Sequence, residues 1–287
     1  MLAQQLVSGI VIGGVYALIA LGLTLVYGVL RILHVAHAAV YATGAFVGLT
    51  TYQRTGNLWL ALLVAAAFCG VFGALIHRFV YGPLLNQPRI VPLIASIGLF
   101  IFFQDFLRLV FGPYAQSFPA RVPFGLLDLG SVILPGRQVF ILVVTMVLLV
   151  VTWYVVSRTR LGLAWQAVAQ DAETALAMGV PVPRVVAVNF LFGSALAAIA
   201  GILVGIHYNS VYPAMGEMPA YKMLAVVVLG GLGSVPGTVV AAFLLGLVET
   251  LLVGYIGFVL PRDALAFVAL ILMLLVRPEG LFGKGGA

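Results

Sequence analysis

The sequence predicts an all-α fold, a polytopic integral membrane bundle of about eight hydrophobic segments, and three observations predict it. Of the 287 residues, 63% are hydrophobic and only 8% charged, against about 25% charged in soluble globular domains. Apolar runs of the length that crosses a bilayer, about 20 residues, recur from end to end. The charged residues fall mostly in short stretches between those runs. Residues 1–287 therefore read as one transmembrane domain whose main solvent is lipid.

The first span covers about Leu6 to Leu30, with Gly9, Gly13, Gly14, Gly22 and Gly28 permitting close helix packing. Val35 to Thr51, with His34 and His37 at its entrance, is marginal as a full span. Leu58 to Val80 and Ile90 to Phe111 are clear spans, and Gly82, Pro83 and Pro88 between them predict a non-helical turn. Gly112 to Gln138, punctuated by prolines and by Arg121, Asp128 and Arg137, predicts an external loop, followed by a span from Val139 to Val156. The stretch 158–184 is polar. Within it Ala164 to Met178 lacks Gly and Pro and is followed by Gly179, Pro181 and Pro183, which predicts one short surface helix with a defined stop. A sixth span runs from Val185 to Tyr208. The apolar run Met223 to Leu229 is too short to cross, and the glycine-rich Gly230 to Gly237 separates it from a further run to Gly254. This pattern predicts a broken helix or re-entrant hairpin, tolerated at membrane depth only where its backbone is buried in protein or faces a wet cavity. The last span is Val259 to Val276.

Arg31, Arg78, Arg89, Arg158, Arg160 and Arg184 stand in loops of one side, and Arg54, Arg121, Arg137 and Lys222 on the other. The positive-inside bias puts the 158–184 loop in the cytoplasm and the N-terminus outside. Arg277 and Lys284 are also inside if Met223 to Gly254 enters and leaves on the external face. The net charge of +6 is dispersed singly, with no basic stripe, so nucleic acid is not an expected partner. The single Cys69 allows no intramolecular disulfide. With no Lys or Arg before the first apolar run and no small-residue cleavage site, no cleaved signal peptide is expected.

Few residues can carry chemistry. His34 and His37 could face one side of a helix, but no Cys, Asp or Glu lies nearby to complete a metal site, and none is expected. Asp105 and Arg108, three apart, suit a local ion pair. Glu249 has no charged neighbour in its run and is a functional candidate as an intramembrane carboxylate, or a helix-to-helix hydrogen-bonding group. The four Asp are scattered and no Ser sits in a nucleophile elbow, so no hydrolytic constellation forms. There is no GxxxxGK loop for ATP.

In the polar loop, Glu173-Thr174-Ala175 followed after three residues by Gly179 has the E-x-A-x-x-x-G spacing by which permeases of ATP-driven importers dock on their ATPases. The chain as a whole resembles the LivH-type permease subunits of branched-chain amino-acid ABC importers. The resemblance rests on Gly14-Val15-Tyr16-Ala17-Leu18-Ile19-Ala20-Leu21-Gly22 with Val26-Tyr27-Gly28, Ala36-His37, Ile94-Ala95-Ser96-Ile97-Gly98-Leu99, Arg158-Thr159-Arg160-Leu161-Gly162 with Asp171, and Leu229 to Gly237. It implies a non-catalytic, multi-pass subunit of the bacterial inner membrane with no cofactor of its own. It further implies a LivM-like second permease, two cytoplasmic ATPase subunits that bind the ATP, and a periplasmic substrate-binding protein. Arg158, Arg160, Asp171, Glu173, Ala175 and Gly179 are then the expected ATPase-coupling residues. His37, Tyr41, Gly231, Gly233, Ser234 and Glu249 are the candidate lining of the path. Where the family often has His-Gly and an acidic residue, this chain has His37-Ala38-Ala39, so no role for that carboxylate carries over. The abundant Gly, Ala, Val and Leu suit a short aliphatic solute, and the scarcity of fixed charge argues against tight capture of a zwitterion in the membrane. An ion-coupled secondary transporter, which would want paired intramembrane charges, and a passive pore for urea or short amides, which would need no docking loop, are the alternatives.

Overall fold

A computed structural model describes residues 2–85, 87–128, 130, 132–256, 262–277 and 280–282. Its helices are α1 (Leu2–Leu30), α2 (His37–Thr55), α3 (Leu58–Ile76), α4 (Gly82–Leu84), α5 (Ile90–Phe111), α6 (Gly136–Arg158), α7 (Arg160–Gln170), α8 (Ala172–Ala177), α9 (Val182–Tyr208), α10 (Glu217–Gly230), α11 (Val235–Ile256) and α12 (Arg262–Val276). Among the described residues six helical stretches are long and apolar enough to cross a membrane: α1, α3 with α4, α5, α6, α9 and α11. The all-α bundle expected from composition is the fold observed. Among the described residues the one small sheet pairs β1 (Leu127–Asp128) with β2 (Ile133–Leu134), antiparallel, in the 112–135 loop.

α1 is the axis of the bundle, buried along most of its length against α9, α10 and α11. It can be central because its glycines remove side chains where helices cross. A methyl group on Gly246 of α11 would lie 2.5 Å from the Cα of Gly13, and one on Gly193 of α9 would lie 2.9 Å from the carbonyl oxygen of Gly22. α2, low in hydropathy and marginal as a span, is a regular 19-residue helix. It is enclosed by α1, α3, α5 and α9, and at Gly44 it touches Ala198 of α9. Burial in protein relieves it of the hydropathy a lipid-facing helix needs. α3, α5 and α6 carry the outward-facing residues, among them Leu63, Phe102, Leu109 and Val150.

Three expectations are corrected. The helix does not stop at Gly82 and Pro83: α3 passes through a π-helical turn, His77–Tyr81, into α4. The wider i→i+5 turn, closed by the Gly82 amide on the His77 carbonyl, relocates the carbonyls with which the Pro83 ring would otherwise clash. The polar loop holds two helices instead of one, because Asp171 adopts extended backbone (φ −154°, ψ 110°) and starts a new helix as its N-cap. Finally, the helix before the glycine-rich break is not confined to Met223–Leu229. α10 starts at Glu217 and carries Pro219 in its first turn, where a missing N–H costs nothing.

The turn between α10 and α11 has left-handed backbone at Gly231 (φ 100°) and Gly233 (φ 85°), which favours glycine. A methyl group on Gly233 would lie 3.3 Å from the Cα of Gly28, near the end of α1, and there Arg31 donates to the Ala169 carbonyl of α7 at 3.4 Å. The hairpin tip is therefore at the same end of the bundle as the polar loop. Leu281 and Phe282 donate their amides to the Leu229 and Gly230 carbonyls at 2.8 and 3.2 Å, so the end of the described chain caps α10. The predicted start of the last span, 259–261, and Lys284 lie outside the described residues.

Candidate translocation site and coupling element

Between α1, α2, α9, α10 and α11 lies a cavity of about 280 Å³. Val11, Val15, Ile19 and Val204 give it an apolar side; Tyr16, Tyr41, Lys222 and Glu249 give it polar groups. Sequence reasoning missed its chief feature. Lys222, expected in an external loop, is buried in α10, and Glu249, without a charged neighbour in sequence, is its partner. The Nζ donates to Glu249 Oε1 at 2.7 Å, with side-chain exposures of 9% and 4%. Tyr16 joins both: its hydroxyl accepts from Lys222 Nζ at 2.7 Å and donates to Glu249 Oε2 at 3.0 Å. Twenty-seven residues separate the charges, and only the α10–α11 turn folds them together. The available signal was that a lone charge in an apolar segment requires a partner.

Of the six path candidates, Tyr41 and Glu249 line this cavity. His37 is fully buried beside Gly22, with its ring 5.6 Å from that of His34. His34 Nδ1 hydrogen-bonds the Tyr81 hydroxyl at 2.7 Å, and its ring packs on Phe190. Among the described residues no three His, Cys, Asp or Glu are grouped to hold a metal. Gly231, Gly233 and Ser234 form the α10–α11 turn, apart from the cavity. The Asp105–Arg108 pair is present at 2.9 Å and largely exposed.

The coupling candidates are held by a second construction. Thr159 caps α7 by accepting from the Gly162 amide at 3.2 Å. Gly162, Trp165 and Val168 turn one face of α7 inward, and Trp165 Nε1 donates to the Val185 carbonyl at 3.1 Å, pinning it to α9. Asp171 Oδ1 accepts from the Glu173 and Thr174 amides at 2.9 and 3.2 Å, and Oδ2 accepts from the Thr174 hydroxyl at 2.7 Å. The Thr174 hydroxyl, foremost, holds the Asp171 carboxyl below the usual carboxylate range. α8 ends in a Schellman motif: the Val180 amide donates to Ala175 and that of Gly179 (φ 84°) to Leu176, both at 3.0 Å. Ala175 is buried beneath the turn, whereas Arg158, Arg160, Asp171, Glu173 and Gly179 are exposed. Leu176 and Met178, at 59% and 81% exposure, stand between them.

A multi-pass bundle with a largely apolar cavity faced by one buried ion pair, and with a capped helical pair at one end, defines a membrane transport subunit. The family profile described as the permease component of branched-chain amino acid transport systems matches residues 5–277, and the chain belongs to that family. It is 36% identical to the high-affinity branched-chain amino acid transport system permease protein BraD of Pseudomonas aeruginosa, over 98% of this chain and 95% of that one. It is 34% identical to the corresponding LivH of Escherichia coli K12, with the same coverage. The likeness extends to LivM of Escherichia coli K12 at 26%, over 93% of this chain and 67% of the other. Among solved structures, PsaBC from Streptococcus pneumoniae in complex with Fab shares the fold at TM-score 0.54 and 13% identity, covering 98% of this chain and 93% of that one.

Proposed function

We propose that this chain is one of two permease subunits of an ATP-driven importer that carries branched-chain amino acids across the bacterial inner membrane. A LivM-like subunit forms the other half of the path. A periplasmic binding protein delivers the solute, and two cytoplasmic ATPases bind and hydrolyse ATP. What supports this reading is a family match running through both the bundle and the α7–α8 element, together with the form of that element. Leu176 and Met178 are apolar groups on a polar surface, which is what a protein partner covers. Capping at both ends of α8 and the Trp165 anchor make the element stiff enough to pass a displacement from an ATPase to α9. The cytoplasmic side is assigned by its arginines.

The test is a reconstituted complex carrying Gly179→Pro or Glu173→Arg. Both should remain membrane-inserted, since neither side chain is part of the bundle, and both should lose substrate-stimulated ATP hydrolysis and uptake. Unchanged stimulation and uptake in both variants would remove α7–α8 from the coupling role.

A further inference from the structure

The Tyr16–Lys222–Glu249 triad is more than a clasp. Its two opposite charges are a single hydrogen bond apart and buried, and both residues contribute to the wall of the cavity. Buried charges are costly and need pairing. A clasp between α10 and α11 that served packing alone would be cheaper as apolar residues, and would gain nothing from facing a cavity. An α-amino acid presents the complementary pair: a carboxylate and an ammonium group on adjacent atoms, with an aliphatic side chain beside them. In the same cavity as the triad, Val11, Val15, Ile19 and Val204 offer apolar surface for such a chain.

We propose that the triad is a zwitterion exchange site within the membrane path. The Lys222 ammonium passes from Glu249 to the solute carboxylate, and the Glu249 carboxylate accepts from the solute ammonium. One ion pair becomes two, and the net charge of the site stays the same. Tyr16, already bonded to both members, holds each side chain while the other changes partner. When the solute leaves, the internal pair re-forms and displaces it. Occupancy is thus transient, as a translocation step needs. Transient occupancy is compatible with the expectation that scarce fixed charge argues against tight capture of a zwitterion in the membrane.

The proposal rests on the importer reading above, and the test separates the two. In the complete importer in proteoliposomes, leucine taken up per ATP hydrolysed is measured for the wild type, for the neutral double variant Lys222→Met/Glu249→Gln, and for the charge swap Lys222→Glu/Glu249→Lys. The double variant leaves no unpaired buried charge, and its uptake per ATP should fall about thirtyfold or more, the loss expected when buried charge pairing to a ligand is removed. The swap restores an ion pair but exchanges the two charges, so an L-amino acid that keeps its aliphatic chain on the apolar lining meets like charges at both positions, and uptake should stay low. Normal uptake per ATP in either variant, or failure of both to assemble, makes the pair a packing clasp and overturns the proposal. Leucine uptake by wild type that needs neither ATP nor partners overturns the importer reading instead.

Discussion

At the scale of single residues, two ion pairs show how burial decides worth. Asp105–Arg108 is a half-exposed helix pair of the kind that contributes about 0.2–1 kcal/mol, and its spacing makes it legible in sequence. Lys222–Glu249 is buried, and removing one member strands the other charge at a cost of about 3–5 kcal/mol. Lys222→Met alone should therefore lower the thermal midpoint in detergent markedly, with Glu249→Gln added on top restoring much of it; a single variant as stable as wild type would contradict the buried pair. Nothing in the local sequence identifies this partner, because the pairing is made by a turn of two left-handed glycines. Asp171 gives a pH prediction. Its carboxyl is lowered in the folded chain by the Thr174 hydroxyl and amide bonds, so its stabilising contribution is complete above the ordinary carboxylate pKa of about 3.9 and is lost as pH falls through the lowered value. Hydrogen-exchange protection at the Glu173 and Thr174 amides should be level from neutrality to about pH 5 and decline only in stronger acid. In Asp171→Asn, which caps without titrating, that decline should vanish.

At the scale of elements, legibility followed the strength of the local signal. α5 runs over Ile90–Phe111, as its apolar run and flanking breakers predicted, and α8 stops at Gly179 for the expected reason. Where the sequence reading failed, a tertiary partner or an uncommon backbone had overridden local propensity. A π-turn carries helix through Gly82 and Pro83, a side-chain cap splits 160–177 at Asp171, and surrounding protein stabilises the polar α2. Helix crossings supply the sharpest mutational contrast. Gly246→Leu should sharply reduce folded yield because α1 stands against it, while Gly98→Leu on α5, with nothing within 4 Å, should be tolerated. Equal yields would mean that α1 and α11 do not cross there. Gly231→Leu and Gly233→Leu should likewise cost more than a lipid-facing change, since each places a branched side chain on left-handed backbone.

For the molecule as a whole, composition established a membrane bundle and the order of segments established its family likeness, while the cavity, being assembled from α1, α2, α9, α10 and α11, was visible only in three dimensions. Of its lining, Tyr41 and Glu249 were anticipated and Lys222 was not. The chain contains no phosphate-binding loop and belongs to a family of transport-system permease components, so the proposed driving force is ATP hydrolysis in partner ATPases acting through α7–α8. The direct measurement is uptake of radiolabelled leucine into proteoliposomes, first with this chain alone under an imposed proton or sodium gradient, then with the second permease, both ATPases, the binding protein and ATP. The account predicts no accumulation in the first case and ATP-dependent accumulation in the second. Gradient-driven accumulation by the lone chain would contradict it and identify an ion-coupled transporter.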